Sequence, residues 1–195
     1  MATPLPMRFD DQPLLWTVDA VYTPAECAAF IRMIEAADPG LPNDNPGYRD
    51  QDRVMVDDPE AAAELYRRLR PHVPARIGPF VSVGLNERLR CYRYRPGQRF
   101  TPHMDHWYRP SPTRITLHTV LVYFNAGDGV DFEGGETRFC EQLDATVVPA
   151  AGRVAIFQHK LRHEGSEVLR GTKYAMRTEL LFEAPEPIAE VDWAP

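Results

Sequence analysis

The 195-residue chain holds six histidines, His72, His103, His106, His118, His159 and His163, and the second sits in a triplet suited to metal binding. In His103-Met104-Asp105 an imidazole and a carboxylate stand two residues apart. On an extended backbone such side chains point to the same face, so both can converge on one cation. A third ligand from another strand would complete a set of two histidines and one carboxylate, which leaves the opposite side of the ion open and suits Fe(II) oxygenases. His106 follows Asp105 directly and would point the other way. His159 and His163 have the i, i+4 spacing of a helical metal pair. However, Val154-Ala155-Ile156-Phe157 before them and Gly165 after them argue for strand and turn. His118 lies within a candidate strand and reads as a packed or hydrogen-bonded histidine, with a role lining the pocket as the alternative.

Around the triplet stand Tyr94-Arg95-Pro96-Gly97-Gln98, Val122-Tyr123-Phe124-Asn125, Gly134-Gly135-Glu136-Thr137 and His163-Glu164-Gly165. Ten residues beyond His163 comes Lys173, in Gly171-Thr172-Lys173-Tyr174. In this order and spacing the chain resembles the prolyl-4-hydroxylase-like branch of the Fe(II)/2-oxoglutarate-dependent dioxygenases. The resemblance covers residues 85–183 and, through Thr23-Pro24-Ala25-Glu26-Cys27, extends weakly toward residue 18. It implies that His103, Asp105 and His163 are the catalytic iron ligands. It also implies that Lys173 pairs with the distal carboxylate of 2-oxoglutarate, that Tyr123 hydrogen-bonds the same carboxylate, and that Tyr94 lines the cosubstrate pocket. A lone buried ammonium is costly, so a charged ligand makes Lys173 intelligible there. The implied reactants are Fe(II), 2-oxoglutarate and O2, with ascorbate as reductant. The implied reaction hydroxylates an unactivated C–H bond and releases succinate and CO2.

The implied substrate is a prolyl residue of a peptide or protein, or else a small amino acid or secondary metabolite. Many prolyl hydroxylases carry a tryptophan on the last strand, where this chain has Arg177-Thr178-Glu179. The 104–114 loop, with His106, Trp107, Tyr108 and Arg109, lies beside the expected iron and offers a substrate rim. Gly134-Gly135-Glu136-Thr137 reads as a turn, because paired glycines permit positive φ or close backbone approach. Two readings of other classes stand beside the oxygenase: a non-catalytic module that senses 2-oxoglutarate or iron, and a β domain with a fixed structural zinc. A zinc site closes with four protein ligands, and the sequence offers three.

These residues need elements to hold them. Thr23-Pro24-Ala25-Glu26 has the form of a capping box, and Cys27, Phe30, Ile31 and Ile34 then recur with helical spacing. Asp38-Pro39-Gly40 ends that helix, and a polar, proline-rich loop runs to about residue 52. A second helix has Asp58 as cap, Pro59 at its first position, Ala62, Leu65 and Leu69 facing inward, and Pro71 as its stop. From about residue 80 the pattern becomes short β-branched or aromatic runs: Arg88–Tyr94, Thr116–Asn125, Thr146–Val148, Val154–Gln158 and Tyr174–Glu183. The expected fold is mainly β with N-terminal helices. Its core is a double-stranded β-helix of the jelly-roll, cupin-like kind, with about eight antiparallel strands. One domain fills the chain, with residues 1–78 as helical support, 79–184 as the core and 185–195 as a tail.

Composition narrows the partners. The formal charge is −6 with no Lys/Arg-rich run, which argues against nucleic acid or an anionic membrane as the main partner. No stretch approaches the ~20 apolar residues of a membrane span. The N-terminus lacks an apolar signal core, and Cys27, Cys91 and Cys140 form no CxxC pair. The expected setting is cytoplasmic, with reduced thiols. Proline, at 19 residues, is about twice its usual ~5% share. That excess excludes a long helical bundle and is expected at helix boundaries and between strands, with none inside a strand.

Overall fold

The computed structural model describes residues 2–3, 9, 11–38, 40 and 47–189. Helix α1 spans Pro24–Ala36. Its capping box is formed: the Glu26 amide donates to Thr23 Oγ1 at 3.3 Å, and the Thr23 amide donates to the Glu26 carboxylate at 2.8 Å. Helix α2, Pro59–Leu69, is capped by Asp58, which accepts from the Ala61 amide at 2.9 Å. Its buried residues are Ala62, Leu65 and Leu69, and Pro71 falls in the short 3-10 turn Arg70–His72 that ends it. Pro39 and the 41–46 part of the proline-rich loop lie outside the described residues.

Fourteen strands occur among the described residues. Those up to the first histidine ligand candidate are β1 (Leu15–Val18), β2 (Asp52–Asp57), β3 (Arg76–Ile77), β4 (Phe80–Leu85), β5 (Arg88–Tyr94) and β6 (Phe100–His103). Then come β7 (Arg114–Tyr123), β8 (Phe132–Gly134), β9 (Thr137–Phe139), β10 (Ala145–Val147), β11 (Val154–Gln158), β12 (His163–Gly165), β13 (Val168–Gly171) and β14 (Lys173–Glu183). In the large, eight-stranded sheet β1, β11, β7 and β14 lie side by side. The far edge of β14 pairs β5 with its first half and β4 with its second. β2 extends from β5, and β3 from β4. The small sheet runs β10-β9-β12-β6, and β13 pairs with β8. The curled antiparallel sheets make the expected double-stranded β-helix. The first 78 residues also supply three strands that widen the large sheet, so this region is more than helical support.

Two apolar layers sandwich the large sheet. On one side Ile34, Leu65 and Leu69 of the helices meet Val120, Val122, Ile156 and Phe182. On the other, Tyr92, Tyr123, Phe157 and Ala175 meet Phe100, Phe139 and Val147 of the small sheet. All five residues of β11 are therefore buried, which is why its first four, Val154–Phe157, read as an unbroken apolar run. Arg93 on β5 ties the helical layer down, reaching Glu35 of α1 at 2.8 Å and Asp52 of β2 at 2.9 Å. The three cysteines are unpaired, Cys27 and Cys91 buried and Cys140 half-buried. No helix among the described residues is long and apolar enough to cross a membrane.

One proline departs from expectation: Pro102 lies inside β6. β6 ends the order of the small sheet, the position where a missing amide donor is tolerated.

Of the two expected states of His118, the structure shows the packed one. Neither ring nitrogen has a hydrogen-bond partner among the described residues, and Phe9, Trp16 and Phe182 surround it. Burial pushes the imidazole down to about 3. Between there and the unfolded value near 6.5 the unfolded chain binds a proton that the folded chain refuses, so stability drops as the pH drops. His118→Leu should therefore flatten the dependence of the urea midpoint between pH 6.5 and 4.5 by one proton, about 1.4 kcal/mol per pH unit. An unchanged slope would mean that this imidazole is protonated in the fold.

Candidate active site

The metal-binding candidates come together because of strand register. His103 on β6 stands directly opposite His163 on β12. Opposed residues on antiparallel strands share a face, and the two rings lie 4.3 Å apart between centroids. Asp105 follows two residues beyond His103 and returns to the same side. Its Oδ1 is 3.8 Å from His103 Nε2, and its Oδ2 is 3.7 Å from His163 Nε2. Ligand atoms of the three residues lie within 4.8 Å of one another.

Protonation fits the same use. His103 Nδ1 donates to the Thr101 carbonyl at 2.8 Å, and His163 Nδ1 donates to the Leu161 carbonyl at 2.9 Å. A carbonyl only accepts, so both Nδ1 atoms carry the proton and both Nε2 lone pairs are free for a cation. Burial pushes His103 down to about 3 and lowers His163 as well. Burial alone would raise the Asp105 carboxyl, but Arg177 and the neighbouring histidines reverse this and hold it below its usual range. Arg177 Nη2 donates to Asp105 Oδ1 at 2.9 Å, and the Thr119 hydroxyl donates to Oδ2. Two neutral imidazoles and one carboxylate are the donor set that suits Fe(II).

The adjoining face of the large sheet carries the other candidates. Lys173 opens β14 opposite Tyr94 of β5, and Tyr123 of β7 stands opposite Ala175. Alternation then puts Lys173, Ala175 and Arg177 on one face. Lys173 is 2% exposed. Its Nζ donates to the Gly135 carbonyl at 2.7 Å and lies 4.9 and 5.5 Å from the ring centroids of Tyr94 and Tyr123. Burial pushes the ammonium down to about 8, although Glu136 pulls the other way. Asn125 clamps the backbone on both sides of the lysine. Its Nδ2 donates to the Thr172 carbonyl at 2.7 Å, and the Tyr174 amide donates to its Oδ1 at 2.9 Å.

The paired glycines thus do more than turn the chain. Gly135 has φ +69°, and a Cβ there would press on the Phe132 ring at 3.0 Å and on Lys173 Cδ at 3.3 Å. Its carbonyl is what holds the ammonium. Tyr94, Lys173, His103 and His163 line one cavity, together with Thr137 and Arg177. A buried cation whose hydrogen-bond partner among the described residues is a neutral carbonyl, in the cavity that His103 and His163 also line, fits an anionic cosubstrate.

Residues 89–178 match the family model of the 2OG-Fe(II) oxygenase superfamily. That stretch is a 2OG-Fe(II) oxygenase domain. Its class is that of a 2-oxoglutarate-dependent dioxygenase, for which the family implies Fe(II), 2-oxoglutarate and O2. No curated protein sequence matches the chain. Solved structures do. The viral collagen prolyl hydroxylase of Paramecium bursaria Chlorella virus-1, in a 2-oxoglutarate complex, aligns with TM-score 0.63 and 22% identity, over 89% of this chain and 98% of that one. A Pseudomonas putida prolyl-4-hydroxylase aligns with TM-score 0.61 and 15% identity, over 86% and 91%. A Trichoplax adhaerens prolyl hydroxylase, in complex with a hypoxia inducible factor oxygen degradation domain peptide fragment, aligns with TM-score 0.64 and 17% identity, over 87% and 84%. At these identities the likeness is one of fold.

Other side chains that the sequence singled out lie at varying distance from this cavity. Tyr123 is fully buried and its hydroxyl donates to Thr137 Oγ1 at 2.7 Å, so it meets the cavity through that threonine. His106 is exposed. In the 104–114 loop Trp107 packs against the core with Lys160 Nζ 4.5 Å from its ring, and Arg109 donates to the Ile188 carbonyl at 3.1 Å. None of these lines the cavity. The segment before β2 comes nearer: Tyr48 meets the His103 and Phe100 rings edge-on at 6.4 and 5.5 Å, and the Arg49 guanidinium lies 4.4 Å from the Phe100 centroid. Phe100 itself stacks on His103 at 3.5 Å. In the segment Arg177-Thr178-Glu179, Glu179 is 1% exposed and held by Asn86 at 2.6 Å, Arg90 at 2.7 Å and Arg177 at 3.2 Å.

Proposed function

We propose that the domain hydroxylates an unactivated C–H bond of a prolyl residue in a peptide. In this reading His103, Asp105 and His163 hold Fe(II), and Lys173 anchors the distal carboxylate of 2-oxoglutarate. The observation that carries it is one cavity lined by the two neutral imidazoles and by the buried Lys173 ammonium, with the Asp105 carboxylate 3.8 and 3.7 Å from the imidazole Nε2 atoms. Bound iron, with 2-oxoglutarate and O2, supplies the oxidising power, and the cosubstrate leaves as succinate and CO2.

The chain's own residues prepare that chemistry. The Thr101 and Leu161 carbonyls fix the imidazole tautomers. Arg177 and Thr119 keep the carboxylate ionised and oriented. Phe100, Phe157 and Tyr94 wall the cavity with apolar surface. Apolar walls of this kind lower the local dielectric and strengthen the charge interactions beside them. The peptide substrate is supported by the prolyl hydroxylases that share the fold, one of which holds a peptide fragment.

The test supplies Fe(II), 2-oxoglutarate and ascorbate to the purified protein, with a proline-containing peptide library or a mixture of free amino acids. The expected result is Fe(II)-dependent succinate together with a +16 Da product among the peptides. No succinate under any condition would overturn the oxygenase reading. A +16 Da product on a free amino acid alone would overturn the peptide reading.

A further inference from the structure

We infer that Thr119 and His159 form a hydrogen-bond relay that holds the Asp105 carboxylate in its metal-facing orientation, so that His159 sets metal affinity without being a ligand. The inference rests on the metal-site reading above. His103 and His163 are steadied by paired strands, whereas Asp105 lies in the loop beyond β6. Its orientation has to come from individual hydrogen bonds.

The relay begins at the Tyr108 amide, which donates to Thr116 Oγ1 at 2.9 Å. An amide only donates, so the Thr116 oxygen accepts there, and its hydroxyl proton is available to His159 Nε2 at 3.2 Å. At the other end an ionised carboxylate only accepts, so the Thr119 hydroxyl donates to Asp105 Oδ2. The Thr119 oxygen is then the acceptor for His159 Nδ1–H, at 3.0 Å. One tautomer, with the proton on Nδ1, satisfies every link, and all donors point toward Asp105. The other tautomer would bring two groups lacking a proton to share face to face at Nδ1 and Thr119. His159, Thr116 and Thr119 are each at most 1% exposed, so water does not compete for these bonds. His159 holds the ligand residue a second time, since its carbonyl accepts the Asp105 amide at 3.0 Å.

Removing a hydrogen bond that orients a metal ligand costs about 10- to 100-fold in metal affinity. The experiment measures Mn(II) dissociation constants and metal-free unfolding midpoints for the full chain and four variants. Thr119→Val, which keeps the shape and deletes the hydroxyl, should weaken Mn(II) binding about 10- to 100-fold, and Thr119→Ser should bind like wild type. His159→Leu should weaken binding, and His159→Asn should restore it, because its side-chain amide can donate where Nδ1–H does. Wild-type affinity in Thr119→Val, or Thr119→Ser as weak as Thr119→Val, overturns the relay. If Thr119→Val does not fold, the His159 pair decides: equal affinities in the Leu and Asn variants overturn it. A purely structural role would lower the unfolding midpoints while the folded protein kept its Mn(II) constant. Failure of wild type itself to bind Mn(II) would instead overturn the metal-site reading on which the relay depends.

Discussion

Lys173→Met is expected to raise the KM for 2-oxoglutarate about 10²- to 4 × 10³-fold and, at the same time, to stabilise the cosubstrate-free protein. The two effects have one cause. Lys173 Nζ is buried with a single neutral acceptor, the Gly135 carbonyl at 2.7 Å, and two aromatic rings nearby. Without an anion, the fold carries an ammonium that has lost its hydration, which is why burial pushes it down to about 8 from 10.5. Relieving that cost should stabilise the empty protein by on the order of 1–3 kcal/mol. With a carboxylate bound, the same ammonium becomes half of a buried pair. Deleting one member of such a pair costs roughly 3–5 kcal/mol, because the other charge is stranded; at ~1.4 kcal/mol per decade this gives the stated range. The pH dependence has a definite sign. Between about pH 8 and 10.5 the unfolded chain holds a proton that the folded chain has released, so the stability of the empty protein rises with pH there, and Lys173→Met should abolish that rise. Steady-state kinetics and urea titrations read both effects. An unchanged KM, or a loss of stability in the variant, would refute this role for Lys173.

The elements were legible wherever local chemistry decides structure. Thr23 and Glu26 satisfy each other's backbone whatever lies further along the chain, so the start of α1 could be read from four residues. Val154–Phe157 of β11 is apolar at every position because both faces of the strand are covered, and such a run announces itself. Pro102 misled for the converse reason: proline is excluded from strands only where its amide is needed, and β6 lies at the end of its sheet. Whether a strand is an edge is a property of the assembled sheet, invisible to a window of sequence.

The site divides along the same line. His103 and Asp105 are linked by the period of an extended chain, so their convergence is local information. Arg177 was visible only as a residue standing near the place of a tryptophan. Its bond to Asp105 depends on the register of β14 against β7, in which Arg177 meets Leu121, two residues beyond the Thr119 that holds the other carboxylate oxygen. His159 could be set aside as a ligand because strand and turn break the helical spacing. That argument says where the ring does not go. Its reach to Thr119 follows from the pairing of β11 with β7, where Phe157 faces Thr119, and no motif encodes that pairing. Tyr48 approaches His103 because its carbonyl accepts the Thr101 amide at 3.1 Å, a contact between segments some fifty residues apart. Likewise Gly135 was legible as a turn residue, but that its carbonyl holds Lys173 is information carried by the closure of the sheets.

Asp105→Ala should abolish Fe(II)-dependent succinate formation and weaken Mn(II) binding by at least about 10³-fold, more than loss of any residue that only orients a ligand. The donor set drops from three to two, and the charge balance also inverts. With the carboxylate gone, the guanidinium that now sits 2.9 Å from Asp105 Oδ1 would face the incoming cation directly. At the low effective dielectric of a buried site that repulsion is far larger than in water. The substitution also removes one of the two carboxylates that Arg177 meets, leaving it Glu179 at 3.2 Å, and breaking a buried pair destabilises by up to about 3–5 kcal/mol. Loss of activity could then reflect unfolding, and Asp105→Ala/Arg177→Met separates the two causes. Removing both charges should recover much of the folding stability while Mn(II) binding and turnover stay lost. Calorimetric titration with Mn(II) and thermal unfolding of both variants distinguish the cases. Mn(II) binding restored to wild-type strength in the double variant would show that Asp105 serves only to neutralise Arg177 and is not a metal ligand.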